Sequence, residues 1–288
     1  PDLRDIVVSE LLAPKGVEAD AGRIIITSGG LEGMNLLCQL FIDPGDVILV
    51  ESPTFVHCVE IFEMFQARCV SVAMDENGMI PEDLEAKIRE FRPKTVYVIP
   101  TFQNPTGRTL SLERRKKVAE LGSRYDTIIL EDDPYRDIRY SGMDLPPIKA
   151  FDTTGHTVLA NSFSKIFSPG SRLGYVLASE EITAKLFDAK TATNSHTSML
   201  PQVICAEFFK RGYYPAHHRM ICDLYRDSGA AIFAPRSSDD VSRWQRLCAK
   251  VAKWKFRSLD EATLYRSKYT SDRLRGLLTA VFGSRTLE

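Results

Sequence analysis

The chain lacks a surplus of either charge. Its formal net charge is -1 over 288 residues, so there is no basic excess to neutralise nucleic-acid phosphates, and no nucleic-acid partner is expected. Long hydrophobic runs are missing too: the longest apolar stretches, at residues 47–50 and 95–100, are strand-sized and far short of a membrane span. No membrane partner is expected. The six cysteines (Cys38, Cys58, Cys69, Cys205, Cys222 and Cys248) include no close-spaced pair. That spacing argues against a zinc knuckle or a redox motif, and for free thiols buried in a reducing compartment. We therefore expect a cytoplasmic protein. An organelle stays open, because Pro1, Asp2, Leu3 and Arg4 offer neither an initiating methionine nor a signal-like apolar segment, and the true start is expected upstream.

What is present is an ordinary globular composition, 44 % hydrophobic and 26 % charged, long enough for one large domain with an appendage. From Arg23 to about Ser179, short β-branched runs alternate with amphipathic stretches, the pattern of strands joined by crossover helices. Strands are expected at 24–27, 47–51, 69–73, 95–100, 127–131, 157–161 and 172–178. Helices are expected at 32–41, 55–65, 82–91, 112–125, 181–191, 200–210 and about 215–226. This predicts an α/β fold with a mainly parallel, seven-stranded sheet and helices on both faces. Ser111 followed by Glu113 reads as a helix N-cap with early acid, and Leu112, Val118, Leu121 and Tyr125 as the core face of that helix. After about Ser228 the periodicity weakens and Lys and Arg outnumber acids. We therefore expect residues 1–228 to form a large domain with linking helices, and 229–288 an atypical, helical or partly disordered tail.

Several short segments carry chemical meaning. Ser162, Ser164 and Lys165 end a predicted strand, and Arg172 follows seven residues after the lysine. Two cations and two hydroxyls could thus converge on one anionic group beside an amine, although a lysine after a strand is commonly just a solvated loop end. Thr27, Ser28, Gly29 and Gly30 sit between a strand and a helix, where backbone N–H groups at the positive end of the helix dipole suit a phosphate. Any strand-to-helix turn also favours Ser and Gly, and the glycine spacing is not that of a dinucleotide fingerprint. Asn104-Pro105-Thr106-Gly107 and Glu131-Asp132-Asp133-Pro134-Tyr135 each follow an apolar strand. Carboxyl ends of strands are where open α/β sheets bind ligands. Both segments could be plain turns, and the carboxylate run could be a magnesium site.

Taken in order, the Ser-Gly-Gly turn, Pro53-Thr54-Phe55, Asn104 to Gly107, Glu131 to Tyr135, and Ser162 to Lys165 followed by Arg172-Leu173-Gly174-Tyr175 resemble the fold-type I pyridoxal-phosphate enzymes. The similarity is to class I/II aminotransferases near the 2-aminoadipate aminotransferase and MocR-like branch, and it runs from about residue 3 to about residue 228. The resemblance implies pyridoxal 5'-phosphate as cofactor, with Lys165 forming the Schiff base and shuttling a proton. It implies that Asp132 pairs with the pyridine nitrogen, the D-x-x-Y spacing selecting Asp132 with Tyr135 over Asp133. Asn104 and Tyr135 would bind the phenolic oxygen, Asn104-Pro105 would be a cis peptide, and Phe55 would stack on the ring, unless it is simply a core aromatic. Gly29, Gly30, Ser162, Ser164 and Arg172 would surround the phosphate. Relatives carry Ser-Gln after the first glycine where this chain has Gly30-Leu31, so backbone amides, Ser162 and Arg172 would carry more of that task. No metal is implied.

The implied activity is transfer of an amino group from an α-amino acid to a 2-oxo acid, in amino-acid metabolism, by a homodimer. The alternatives are a non-catalytic cofactor-sensing domain, as in MocR regulators, and an inactive truncated aminotransferase. The family's N-terminal segment and C-terminal small domain, with the arginine that grips the substrate carboxylate, are not recognisable in the sequence. Arg236 is placed for that role only by position. The resemblance ends inside a helix, which suggests an altered or truncated reading frame.

Overall fold

The computed structural model describes residues 2–233. The helical or disordered tail expected beyond about 229, Arg236 included, lies almost wholly outside them. Strands β1 (Ile24–Thr27), β2 (Val47–Glu51), β3 (Arg68–Val72), β6 (Thr95–Val98), β7 (Ile128–Asp132), β8 (Thr157–Ser162) and β9 (Gly174–Leu177) form one seven-stranded sheet. The short β4 (Met74–Asp75) and β5 (Gly78–Met79) form a separate hairpin. The helices are α1 (Asp2–Ile6), α2 (Gly30–Phe41), α3 (Val56–Met64), α4 (Pro81–Phe91), α5 (Leu112–Arg124), α6 (Glu180–Asn194), α7 (Met199–Lys210) and α8 (Tyr214–Phe233). None of them is long and apolar enough to cross a membrane.

The spatial order of the sheet is β1-β9-β8-β7-β6-β2-β3. Strands β8, β7, β6, β2 and β3 pair in parallel, whereas β9 runs antiparallel to both β8 and β1. The carboxyl ends of β1, β2, β6, β7 and β8 consequently lie along one edge. Because β9 is reversed, its amino end returns to that same edge, and Arg172 arrives there just before Gly174.

Burial follows the two-residue period of a strand. Ile48, Val50, Tyr97, Leu130, Val158, Ala160 and Val176 share a cluster with Met34, Leu37, Cys58 and Phe62 of α2 and α3. The intervening residues Leu49, Val96, Val98 and Ile129 pack instead with Leu84 and Ile88 of α4 and Val118 and Leu121 of α5. Ile24, Ile26, Leu159, Tyr175 and Leu177 pack with the N-terminal helix and α7. Both sheet faces are therefore covered, as continuous apolar strands demand.

Four differences from the expected elements have local causes. The strand expected to reach Pro100 ends at Val98, because the Ile99 N–H turns to the Glu51 carboxylate (3.0 Å) instead of a neighbouring strand. The strand expected from Arg172 starts at Gly174, since Arg172 has φ 49° after the turn Pro169–Ser171. Ser111 has the extended backbone of an N-cap but its side chain accepts no capping hydrogen bond. Of the core face expected on α5, Val118 and Leu121 are buried, while Leu112 and Tyr125 are half-buried and the fully buried Arg115 takes the inward position. The N-terminal helix was not anticipated; it continues from α1 as a π-helical turn, Val7–Leu12, and buries Leu3, Ile6, Val7, Leu11 and Leu12. Its signal was the helical spacing of those apolar residues.

Candidate active site

Each motif read from the sequence lies at a strand end or in the loop beyond it, on the shared edge. The Ser-Gly-Gly turn follows β1, Phe55 caps α3 after β2, Asn104 follows β6, Tyr135 follows β7, and Ser164 and Lys165 follow β8. The parallel register places Asp132 beside Ala160, and Tyr97 beside Leu130. By the strand period, Asp132, Ala160 and Ser162 point to the face covered by α2 and α3.

Around the Ser-Gly-Gly turn the groups are in close approach. Gly29 has φ 89°, and a Cβ built on it would fall 2.3 Å from Arg172 Nη2. One on Gly30 would lie 3.8 Å from Ser162 Cβ. Ser162 Oγ donates to Ser164 Oγ (2.9 Å) and accepts from the Ser164 N–H (3.1 Å). Arg172 Nη2 reaches the Ser28 carbonyl at 3.4 Å. Gly29 is the N-cap of α2 and gives it no side-chain cap, so the first N–H groups of that helix face this cluster, with the positive end of its dipole. Thr197, from the segment between α6 and α7, donates to the Ile26 carbonyl (3.0 Å) and lies 3.4 Å from Ser28 Oγ, buttressing the turn. Its distance in sequence left no local signal.

On the other side, Asn104 Nδ2 donates to the Tyr135 hydroxyl at 3.0 Å. The Asn104-Pro105 peptide is cis, as is Ser52-Pro53. Lys165 Nζ stands 5.8 Å from the centroid of the Tyr135 ring, and among the described residues it has no hydrogen bond or ion pair. Burial lowers its proton affinity below that of an ordinary lysine. Phe55 is half-buried, packs against the same cluster as Tyr135, and meets the His57 ring edge-on at 5.2 Å.

The three consecutive carboxylates have three separate fates. Glu131 is fully buried and accepts the N–H groups of Ile148 (2.7 Å) and Lys149 (2.8 Å). Asp133 accepts Arg136 Nε at 2.6 Å; burial opposes its charge, but Arg136 and then Arg115 hold it below its ordinary value. Asp132 accepts the Tyr97 hydroxyl at 2.8 Å, and burial raises it to about 6 against the pull of that bond. No cluster suited to a metal occurs among the described residues, so the magnesium alternative has no ligand set here, and Asp133 is not free to compete with Asp132.

Sequence reasoning missed the groups that hold these loops. Gln103, buried, donates to the Pro53 carbonyl (2.7 Å) and accepts from the Thr106 N–H (3.0 Å), tying the Phe55 loop to the Asn104 loop. Arg115 donates to the carbonyls of Leu110 (2.9 Å), Pro146 (3.0 Å) and Pro100 (2.7 Å) and to Thr101 Oγ1 (3.1 Å). Glu51, fully buried, accepts the Ile99 N–H and is pushed by burial up to about 8.

The family model for aminotransferase class I and II matches residues 4–208. The chain belongs to the class I and II aminotransferases. It is 39 % identical over 208 residues to aromatic-amino-acid aminotransferase 1 of Thermococcus litoralis, covering 70 % of this chain and 50 % of that protein. It is 33 % identical over 215 residues to the HTH-type transcriptional regulator NorG of Staphylococcus aureus, covering 75 % of this chain and 48 % of the regulator. Among solved structures, kynurenine aminotransferase of Pyrococcus horikoshii superposes with a TM-score of 0.77 at 35 % identity, over 81 % of this chain and 59 % of that one. The chain spans about half the length of the curated relatives it matches. Family and fold-type I architecture thus agree with the resemblance carried by the motifs.

Proposed function

We propose that this chain binds pyridoxal 5'-phosphate and acts in amino-group transfer from an α-amino acid to a 2-oxo acid. The observation that carries this reading is the placing of one partly buried amine, Lys165, with no hydrogen bond or ion pair among the described residues, beside the Asn104–Tyr135 pair at the sheet edge that also holds buried Asp132 and the anion cradle. The donor set suits the group part by part. Gly29, Gly30, Ser162, Ser164 and Arg172 offer N–H, hydroxyl and guanidinium donors to a phosphate, in a cradle that the Cβ of any larger residue at position 29 would fill. Bound there, the cofactor supplies an electron sink for the substrate Cα carbanion and a carrier for the amino group.

The chain's own residues have simple tasks in this scheme. Lys165 would hold the cofactor covalently and, once displaced by the substrate amine, move the proton at the substrate Cα; a lowered proton affinity keeps more of the amine in the basic form that accepts it. Asp132 would face the ring nitrogen and keep a proton on it. Asn104 and Tyr135 would donate to the phenolic oxygen, and Phe55 would cover the ring face. A homodimer, as in the family, completes the reading.

The test is optical. Purified protein mixed with pyridoxal phosphate should acquire a visible absorption band that is absent in Lys165→Ala and that responds to amino donors, aromatic ones being tried first in view of the relatives' names. A protein that stays colourless and does not retain the cofactor refutes the proposal. The similarity to NorG supports a second reading, a cofactor-sensing domain. It is distinguished by retention of the band with no keto-acid product over many equivalents of donor and acceptor.

A further inference from the structure

A buried phenol stands directly behind the Asp132 carboxylate. Tyr97 occupies the third position of β6, between β7 and β2, and is fully inaccessible. Its hydroxyl donates to Asp132 Oδ2 at 2.8 Å, while Oδ1 receives no hydrogen bond among the described residues. The phenol ring meets Phe62 of α3 edge-on, with centroids 5.4 Å apart, so the ring that carries the hydroxyl is packed against that helix. Cys58 on the same helix lies within reach of the Tyr97 hydroxyl. The titratable groups whose charge acts on Asp132 are Tyr97 of β6, Cys58 of α3, Glu51 of β2 and its own neighbour Asp133. Among the described residues only Tyr97 gives the carboxylate a hydrogen bond.

We propose that Tyr97 is a positioning residue for the cofactor: by donating to Oδ2 it fixes the rotation of the Asp132 side chain and presents Oδ1 as the oxygen that meets the ring nitrogen. The inference rests on the reading of Asp132 given above. An aspartate carboxyl rotates about a soft terminal torsion, and at the end of a strand no backbone contact stops that rotation. A donor on one oxygen does, and it also favours the charged form of a buried acid, whose desolvation works the other way. Burial and the nearby Asp132 charge raise Tyr97 well above the ordinary tyrosine value, so the phenol keeps its proton and remains a donor. Loss of the hydroxyl would leave a carboxyl that takes up a proton near neutral pH, and a neutral acid no longer pairs with a protonated ring nitrogen.

Two readouts on the full-length chain test this. In cofactor-free protein, carbon-13 NMR of the Asp132 carboxyl, assigned by its absence in Asp132→Asn, reports its titration midpoint. Tyr97→Phe should raise that midpoint, and 3-fluorotyrosine at position 97, a stronger donor of nearly the same shape, should lower it; a merely structural side chain would move neither. Pyridoxal phosphate titration should show the dissociation constant of Tyr97→Phe weakened by about tenfold to a hundredfold, the range expected for a hydrogen bond to a charged group. An unchanged midpoint in both tyrosine variants overturns the proposal, as does unchanged affinity in Tyr97→Phe when Asp132→Asn has lost it. If Tyr97→Phe does not fold, the fluorotyrosine protein decides. Failure of the underlying reading looks different: Asp132→Asn would then bind the cofactor as well as the parent does.

Discussion

Replacing Gly29 by alanine should damage cofactor binding in addition to the fold. Two separate costs can be worked from the structure. The backbone at Gly29 has φ 89° and ψ 169°, a region essentially reserved for glycine, where an L-residue costs about 1–3 kcal/mol. That strain is present with or without ligand, and it lowers the melting temperature by about 2–4 °C per kcal/mol in a domain of this size. The second cost concerns the anion cradle. The new Cβ would lie 2.3 Å from Arg172 Nη2 and 2.8 Å from Cζ, so the guanidinium must swing away. If it gives up one charge-assisted bond to the phosphate, about 1.5–3 kcal/mol of binding is lost, roughly tenfold to a hundredfold in affinity. The assay pairs a pyridoxal phosphate titration with thermal melts, and Gly212→Ala serves as control. Gly212 also has positive φ, at 70°, but a Cβ there meets nothing within 4 Å, so its alanine variant should lose stability and keep its affinity. Wild-type affinity in Gly29→Ala, or an equal loss in the control, would show that Arg172 is not aimed at a bound anion.

Glu51→Gln should flatten the pH dependence of stability. Burial raises Glu51 from an ordinary 4.5 to about 8, so between these values the folded chain keeps a proton that the unfolded chain has lost. Stability therefore falls as pH rises through the window, by a few kcal/mol for a shift of that size. Glutamine keeps an acceptor for the Ile99 N–H and does not titrate, so the variant should gain on the parent steadily in melts from about pH 5 to about pH 8; parallel curves would mean that Glu51 is already charged in the fold. Arg115→Lys should lower the chemical denaturation free energy by about 2–4 kcal/mol, because a single ammonium cannot replace a guanidinium that reaches four acceptors and leaves buried carbonyls unpaired. A change below about 0.5 kcal/mol, the size of an ordinary surface substitution, would contradict that account.

Most of the elements were legible because their causes are local. Apolar alternation, the β-branched runs and the Gly, Pro and Asn punctuation act within a few residues, and strands β1 and β2 match their expected bounds. The β4–β5 hairpin passed unnoticed although Asn77-Gly78 is a turn signal, because strands of two residues carry no periodicity. The motif residues were legible for a different reason: their order along the chain reproduces a family pattern, which proposes the residues of a site without stating what each one touches.

What the amino-acid order determined by itself was the seven strands of the main sheet, the helices between and after them, and the cis Asn104-Pro105 turn expected from the motif. Which strand is reversed, and so why Arg172 returns to the edge that holds Lys165, was settled only by tertiary pairing of β9 between β1 and β8. The same is true of the partners that give the carboxylates their different characters: Tyr97 for Asp132, Arg136 for Asp133 and two backbone N–H groups for Glu131. Three adjacent acids look alike in sequence. They differ in the fold because burial magnifies every nearby charge and donor, and those neighbours are brought up by strands and loops that only the completed sheet sets side by side.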